Sequence, residues 1–175
     1  MDGNAPVQLA GRRQEPLPGT ELPLLAFAPR VGLHLGPRRT CLFFSGGLRL
    51  RAETTGTGSR LRVLGFHLLA DDPRLGKVTI TRAEPDTAPT SLVGRPELGP
   101  HALFLRCAVD IERSPGTGRA LHLRTAVPLH LLGRARSFPP VGELFHSQRP
   151  VDLHQVGETA PVGLLEPFRV SLGGC

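Results

Sequence analysis

Residues 103–131, LFLRCAVDIERSPGTGRALHLRTAVPLHL, carry the pattern that decides the fold. Apolar residues fill most alternate positions on both sides of a central Ser-Pro-Gly-Thr-Gly segment. These positions are Leu103, Leu105, Cys107, Val109 and Ile111 before the segment, and Leu121, Leu123, Val127, Leu129 and Leu131 after it. Period-two alternation is typical of a strand with one buried face, and turn residues between two such runs indicate a β-hairpin.

The two arms of this hairpin are unusually long. Each arm spans about 12 residues, or roughly 40 Å of extended chain. Because this exceeds the usual strand length, we expect the arms to bend, as in a barrel or a coiled sandwich. Pro128 cannot donate a ladder hydrogen bond, so it predicts an edge or a bulge in the second arm.

A second hairpin is predicted earlier in the chain, around a turn at residues 54–59. The outgoing strand has Leu42, Phe44, Leu48, Leu50 and Ala52 on one parity. The returning strand has Leu61, Val63, Gly65, His67 and Leu69 on one parity. The opposite parity carries arginines, which we expect to face water. A third strand follows at residues 77–83, with Val78 and Ile80 on one side.

These patterns predict an all-β fold, with little or no helix. The strands number eight to nine and are antiparallel, in a sandwich or a closed barrel, since both architectures show alternating strands separated by turns. The high content of 21 Gly and 18 Pro also favours turns over helices. Residues 1–22 are predicted to be an irregular N-terminal arm and residues 23–175 a single all-β domain. The segments 84–100 and 134–150 are predicted loops.

Composition bounds the functional class. The 39% hydrophobic content excludes a fully disordered chain of 175 residues. The net charge of +6 permits an anionic partner, but Lys77 is the only lysine among 21 basic residues, and such a preference for arginine is what a GC-rich genome produces. No apolar run suggests a membrane span, and Met1–Arg13 does not resemble a signal peptide. With three widely separated cysteines, these features predict a cytoplasmic protein with no membrane association.

The standard catalytic and ligand motifs are missing from the sequence. It contains no P-loop, no dinucleotide-binding glycine motif, no H-E-x-x-H and no G-x-S-x-G. His122 and His130 share a strand face but lie about 27 Å apart along an extended chain, so they cannot share a metal ion unless the strand folds back. We therefore predict no metal site and no cofactor.

His67 and Arg82 are the candidate catalytic residues. Parity places His67 toward the core, and a symmetric turn places Leu50 opposite Val63 and Gly46 opposite His67. A glycine there would leave room for a ligand, and a buried histidine can act as a general base. The alternative is a core histidine hydrogen-bonded to the backbone. Arg82 shares the inward parity of Ile80, or lies past the buried part of its strand.

Two further pairs follow from the register of the long hairpin. Cys107 and Thr125 face each other on the inner side, where with Gly46 they are candidate ligand-binding residues, although both also pack as small hydrophobes. Asp110 and His122 face each other on the outer side. A solvated cross-strand ion pair is the favoured interpretation of this second pair, because it lacks a nucleophile and a concave setting.

Arg49, Arg51, Arg60 and Arg62 form a predicted basic patch on the outer face of the earlier hairpin. Such a patch can follow phosphates, but stacking aromatics are missing among these arginines, so a solvated sheet face is favoured and nucleic acid is the least favoured partner.

Three functions are compatible with the sequence, and whether the protein is an enzyme is left open. The first is a non-catalytic binding or interaction module with a protein partner. The alternative is a cofactor-free β-barrel enzyme or binding protein that acts on a small apolar metabolite, by cyclisation or isomerisation if it is an enzyme. The third is a weak electrostatic nucleic-acid binder.

Overall fold

The computed structural model describes residues 17–55, 58–83, 91–92, 101–134 and 140–174. This part of the chain contains thirteen β-strands and no helix. The strands are β1 Glu21–Leu35, β2 Arg38–Thr55, β3 Gly58–Asp72, β4 Gly76–Arg82, β5 Ser91–Leu92, β6 His101–Leu105, β7 Cys107–Ile111, β8 Leu121–Thr125, β9 Leu129–Gly133, β10 Leu144–Ser147, β11 Val151–Gln155, β12 Pro161–Leu165 and β13 Arg169–Gly174.

Eight of these strands close into an antiparallel barrel. Their order is β1-β2-β3-β4-β7-β8-β11-β12, and β12 pairs with β1 to complete the ring, with Leu33 opposite Leu165. Closure removes the free edges that a sandwich would leave. The all-β prediction is confirmed, and the barrel is the correct choice between the two predicted architectures.

The remaining strands extend one side of this ring. β13, β10, β9 and β6 pair side by side in that order from β1, and the two-residue β5 pairs with β6. β6 and β7 are separated by Arg106 alone, and the break between β8 and β9 contains Pro128. The predicted bending of the long arms is therefore confirmed. The segment predicted as a loop at 134–150 instead contains β10, so that prediction was wrong for residues 144–147.

Backbone groups at the bends are satisfied by neighbouring strands. The Oγ1 of Thr125 accepts a hydrogen bond from the Cys107 backbone N–H at 3.1 Å, and the Oγ of Ser147 accepts one from the Phe168 N–H at 2.9 Å. Both side chains are buried. Since an unpaired buried N–H is costly, these two side chains stabilise the bends.

Two bulges interrupt the wall formed by β1, β2 and β3. In β1 the register shifts between Ala28 and Val31, and Arg30 has a positive φ of 58°. In the β2–β3 pair, Leu50 lies opposite Val63 as predicted, but Arg49 lies opposite Gly65, so Leu64 is an extra residue. An extra residue reverses the parity of everything beyond it.

The interior of the barrel is apolar. Inward side chains from every strand of the ring join one core cluster. Its largest fully buried members are Phe44, Leu33, Leu50, Leu68, Ile80, Leu105, Ile111, Leu123, Leu129, Leu131, Leu153 and Leu165. In the described part of the chain, no helix is long and apolar enough to cross a bilayer.

Candidate functional site

His67 does not face the interior. Its side chain is exposed, whereas Phe66 and Leu68 on either side of it are buried. The bulge at Leu64 reverses the parity between Val63 and Phe66, and this is why the predicted inward orientation was wrong. His67 therefore does not supply a general base to the barrel interior.

Gly46 lies opposite Leu68, not opposite His67 as the symmetric turn predicted. A Cβ on Gly46 would overlap the backbone carbonyl of His67. The β3 main chain thus occupies the space that the prediction assigned to a ligand. Glycine is needed here because two backbones approach closely.

Arg82 is a charged residue on the inward parity of its strand. It is half-buried at the end of β4, on the parity of the fully buried Ile80. Its Nη1 donates a hydrogen bond to the Val63 carbonyl at 2.9 Å, next to the β3 bulge. Its Nε is buried and has no hydrogen-bond partner. A buried donor without a partner is costly, so this atom is a candidate ligand contact.

Cys107 and Thr125 are adjacent on the inner side of the barrel, as predicted. They are 1% and 6% exposed. The Thr125 hydroxyl oxygen accepts the Cys107 N–H, and the Cys107 thiol lies 3.7 Å from the Leu105 carbonyl. These contacts show a structural role at the bend, while a ligand-binding role for the two side chains stays a prediction.

The predicted basic patch is partly neutralised. Arg49, Arg51 and Arg62 are exposed, as expected. Arg51 forms an ion pair with Glu21, and Arg62 lies 3.5 Å from Glu53. The backbone of Arg60 pairs with Glu53, and its side chain lies outside the described residues. Paired carboxylates reduce the attraction of this surface for phosphates.

Asp110 and His122 form the predicted cross-strand pair. Their Oδ1 and Nδ1 atoms are 2.7 Å apart, and the side chains are 45% and 70% exposed. This is the solvated pair that the sequence favoured. Within the described residues, no group of three or more histidines, cysteines or carboxylates is placed to hold a metal ion.

A cluster that sequence reasoning missed lies where β1 changes its neighbour from β13 to β12. Glu166 binds Arg39 through two hydrogen bonds of 2.6 and 2.7 Å, and its Oε1 is 2.6 Å from His34 Nε2. Hydrogen bonds from Arg39 and then His34 lower the pKa of Glu166 to about 2. A Cβ on Gly32 would overlap this carboxylate. Glu166 lies more than 120 positions after His34 and Arg39 in the sequence, so no local motif could reveal this cluster.

The described surface includes two clefts of notable volume. One, of about 710 Å³, lies against β9 and β10 and includes Arg134 and Glu143. The other, of about 470 Å³, lies at the barrel end beside the β1–β2 turn and the loop at 112–120. Neither is lined by Arg82, Cys107 or Thr125.

The outer wall also carries exposed apolar side chains. Leu25 and Phe27 of β1 are 41% and 37% exposed, Leu144 of β10 is 45% exposed, and Phe43 of β2 is 62% exposed. Leu25 lies opposite Gly173 and Phe27 opposite Ser171, so small residues of β13 separate β1 from β10. This apolar wall is the feature that an interaction module would use.

The chain is thus a small closed antiparallel β-barrel with an apolar interior. Among solved structures it is similar to the structure of DynF from the dynemicin biosynthesis pathway of Micromonospora chersina. The TM-score is 0.71 at 18% sequence identity, over 98% of this chain and 92% of that chain. No protein-family model and no curated protein sequence matches the chain. The similarity establishes the fold, which the two chains share over nearly their whole lengths.

Proposed function

We propose that this chain encloses a small, largely apolar metabolite inside its barrel, as a binding protein or a cofactor-free enzyme. The observation that carries the proposal is the buried Nε of Arg82, which has no partner at the edge of an otherwise apolar interior. An interior site of this kind needs shape, apolar walls and one or two polar groups.

The size of the inward side chains supports the proposal. An eight-stranded barrel is just wide enough to be filled by side chains or to hold one small ligand. The wall of β1, β2 and β3 contributes the short side chains of Ala26, Ala28, Ala52 and Ala70. Each alanine leaves more of the interior free than a Leu or Phe residue at the same position would.

Arg82 suits a polar contact because its orientation is constrained. The hydrogen bond from Nη1 to the Val63 carbonyl anchors the planar guanidinium, whose N–H donors point in fixed directions. Its Nε can then donate to an oxygen of the ligand. If the ligand is also converted, a fixed cation at this point stabilises negative charge that develops on a carbonyl oxygen.

The structural relative supports the same choice. DynF comes from a biosynthesis pathway, and this favours a metabolite as the ligand of the similar barrel in this chain. The competing hypothesis is a non-catalytic interaction module, and its main basis was the lack of catalytic motifs in the sequence. A closed barrel with an apolar interior favours the hypothesis that the chain binds a small metabolite.

The first experiment measures binding of the neutral fluorescent probe N-phenyl-1-naphthylamine to the full chain. We expect saturable binding with a Kd in the micromolar range. Ala28→Ile narrows the interior and should weaken binding about tenfold, while Ala126→Ile, an exposed alanine on the same chain, should change it less than about twofold. Cys107→Met serves as a second interior variant should Ala28→Ile fail to fold, as circular dichroism will show.

The second experiment tests Arg82 with two probes. Prodan has a ketone oxygen that accepts a hydrogen bond, and N-phenyl-1-naphthylamine has no such oxygen. Arg82→Met should weaken prodan binding about tenfold and leave the other probe nearly unchanged, because a hydrogen bond from a charged donor is stronger than a neutral one. The matched control is the exposed Arg106→Met. Absence of saturable binding of both probes would refute the interior site.

A further inference from the structure

The cleft of about 470 Å³ lies across one end of the barrel. It runs from the β1–β2 turn, past the ends of β11 and β12, to the loop between β7 and β8. Because β1–β2 and β7–β8 lie on opposite sides of the eight-stranded ring, the cleft spans the barrel mouth. This site is separate from the interior discussed above.

The floor of the mouth cleft is apolar. Leu35 closes the end of β1 and is only 8% exposed, and Leu121 at the start of β8 packs against the core. Val162 of β12 adds a third apolar side chain. A flat apolar group can therefore rest on this floor and bury its surface.

Two arginines stand above that floor. Arg38 and Arg119 line the cleft, and both are exposed. Arg38 precedes Arg39 in β2, and the two side chains take opposite sides of the strand. Arg39 is hydrogen-bonded to Glu166, whereas Arg38, on the other face of the strand, lines the cleft. Among the described residues that line the cleft there is no Asp or Glu, so these two arginines give the lining a net positive charge.

The loop that presents Arg119 is held in shape by its own hydrogen bonds. The Ser114 N–H donates to the Arg119 carbonyl at 2.7 Å, and the Gly118 N–H donates to the Ser114 carbonyl at 3.0 Å. The hydroxyls of Ser114 and Thr117 are 2.5 Å apart. Gly118 has a positive φ of 67°, which this turn requires. A preorganised loop loses little entropy when a ligand binds.

We infer that the mouth cleft binds a small organic anion. Its charged group, a carboxylate or a phosphate, lies between Arg38 and Arg119, and its apolar part rests on Leu35, Leu121 and Val162. Guanidinium groups form paired hydrogen bonds with both kinds of oxyanion. The inference does not depend on the proposed interior function.

The test is an NMR titration of the ¹⁵N-labelled full chain with three naphthalene probes. The phosphate probe is 1-naphthyl phosphate, the carboxylate probe is 1-naphthoate, and the neutral control is 1-naphthol. We expect at least one anion to shift the amides of the non-proline residues within 35–38 and 114–121, with an affinity about tenfold above that of 1-naphthol. The anion that binds tighter identifies the preferred headgroup. Added salt should weaken its binding, because the arginines are exposed.

Variants assign the effect to the two arginines. Arg38→Ala and Arg119→Ala should each weaken binding of the preferred anion about five- to tenfold, with little change for 1-naphthol. Arg74→Ala is the matched control, since Arg74 is exposed in the β3–β4 turn and does not line the cleft. Equal affinities for the anions and 1-naphthol, shifts outside the mouth, or unchanged binding in both arginine variants would overturn the inference.

Discussion

The β7–β8 hairpin and the β2–β3 hairpin show the same alternating pattern, yet parity predicted side-chain directions correctly along both strands only in β7–β8, whereas in β2–β3 it failed in part of β3. In β7–β8, Asp110 pairs with His122 as predicted, and Cys107 and Thr125 meet inside the barrel. In β2–β3, agreement ends at the pair Leu50 and Val63. Beyond that pair, a bulge in β3 exchanges the side chains that face the interior for those that face solvent, and His67 faces water.

The difference has a physical cause in the β3 sequence. In β7 and β8 the outward parity carries Asp110, His122 and Arg124, so a slip would bury polar and charged groups. Residues 61–70 of β3 read LRVLGFHLLA and offer apolar side chains on both parities. A bulge in β3 therefore buries the apolar side chains of one parity in place of those of the other, at little cost in free energy. Gly65 has no side chain that would obstruct this bulge. When a strand has apolar side chains on both parities, counting residues from the turn does not predict which of them face the interior.

The largest effect should come from the residue that the bulge turns inward. Leu68→Ala should lower the free energy of unfolding by about 3 kcal/mol, because Leu68 is fully buried. His67→Ala, its exposed neighbour, should change it by less than about 0.5 kcal/mol. Urea denaturation of both variants measures this contrast. A larger loss of stability in His67→Ala than in Leu68→Ala would show that β3 follows the register without the bulge.

The next largest loss of stability is expected at a glycine of the same hairpin. Gly46→Ala should cost about 2 kcal/mol, since the added methyl group overlaps the His67 carbonyl. The control is Gly65→Ala, whose Cβ meets nothing closer than Arg49 Cβ at 4.0 Å and should be close to neutral. Thermal unfolding followed by circular dichroism compares the two. Equal tolerance would contradict the close approach of β2 and β3.

Thr125→Val tests the regular hairpin. It preserves shape but leaves the buried Cys107 N–H without its acceptor, so we expect a loss of about 1–2 kcal/mol. Amide exchange of Cys107 should accelerate together with this loss. Thr79→Val, at a half-buried position on β4, is the control and should have little effect. A stable Thr125→Val protein with slow Cys107 exchange would argue against the structural role.

The ionisation of Glu166 in its cluster with His34 and Arg39 can be tested through pH. The pKa of Glu166 is lowered from 4.5 to about 2, so its ionised form stabilises the fold above pH 4.5, and this contribution is lost as pH falls toward 2. Glu166→Gln should therefore be less stable than the wild type at neutral pH. The difference in Tm should shrink between pH 4.5 and about 2. A difference that is constant with pH would exclude this ionisation as its source.

The smallest effect is expected at the exposed pair on β7–β8. Asp110→Asn should change the free energy of unfolding by less than about 0.5 kcal/mol, because both side chains are solvated. Denaturation at neutral pH in low salt is sufficient to check it. A loss above about 1 kcal/mol would show that this pair does more than the exposed geometry predicts.

The candidate site was predictable in part. Arg82 could be named from the parity of Val78 and Ile80, since β4 is short and regular. The mouth cleft and the Glu166 cluster could not be, because their residues come from distant strands and meet only when β12 pairs with β1. No local pattern records such a meeting.

The sequence by itself determined the all-β class, the β2–β3 and β7–β8 hairpins and the apolar character of the interior, because alternation and turn residues act locally. Only the tertiary structure decided that the sheet closes, where β1 and β3 bulge, and which polar groups are left inside. Closure requires long strands to bend together, and the bulges follow from that global constraint. Arg82 lies beside one bulge and Glu166 beside the other.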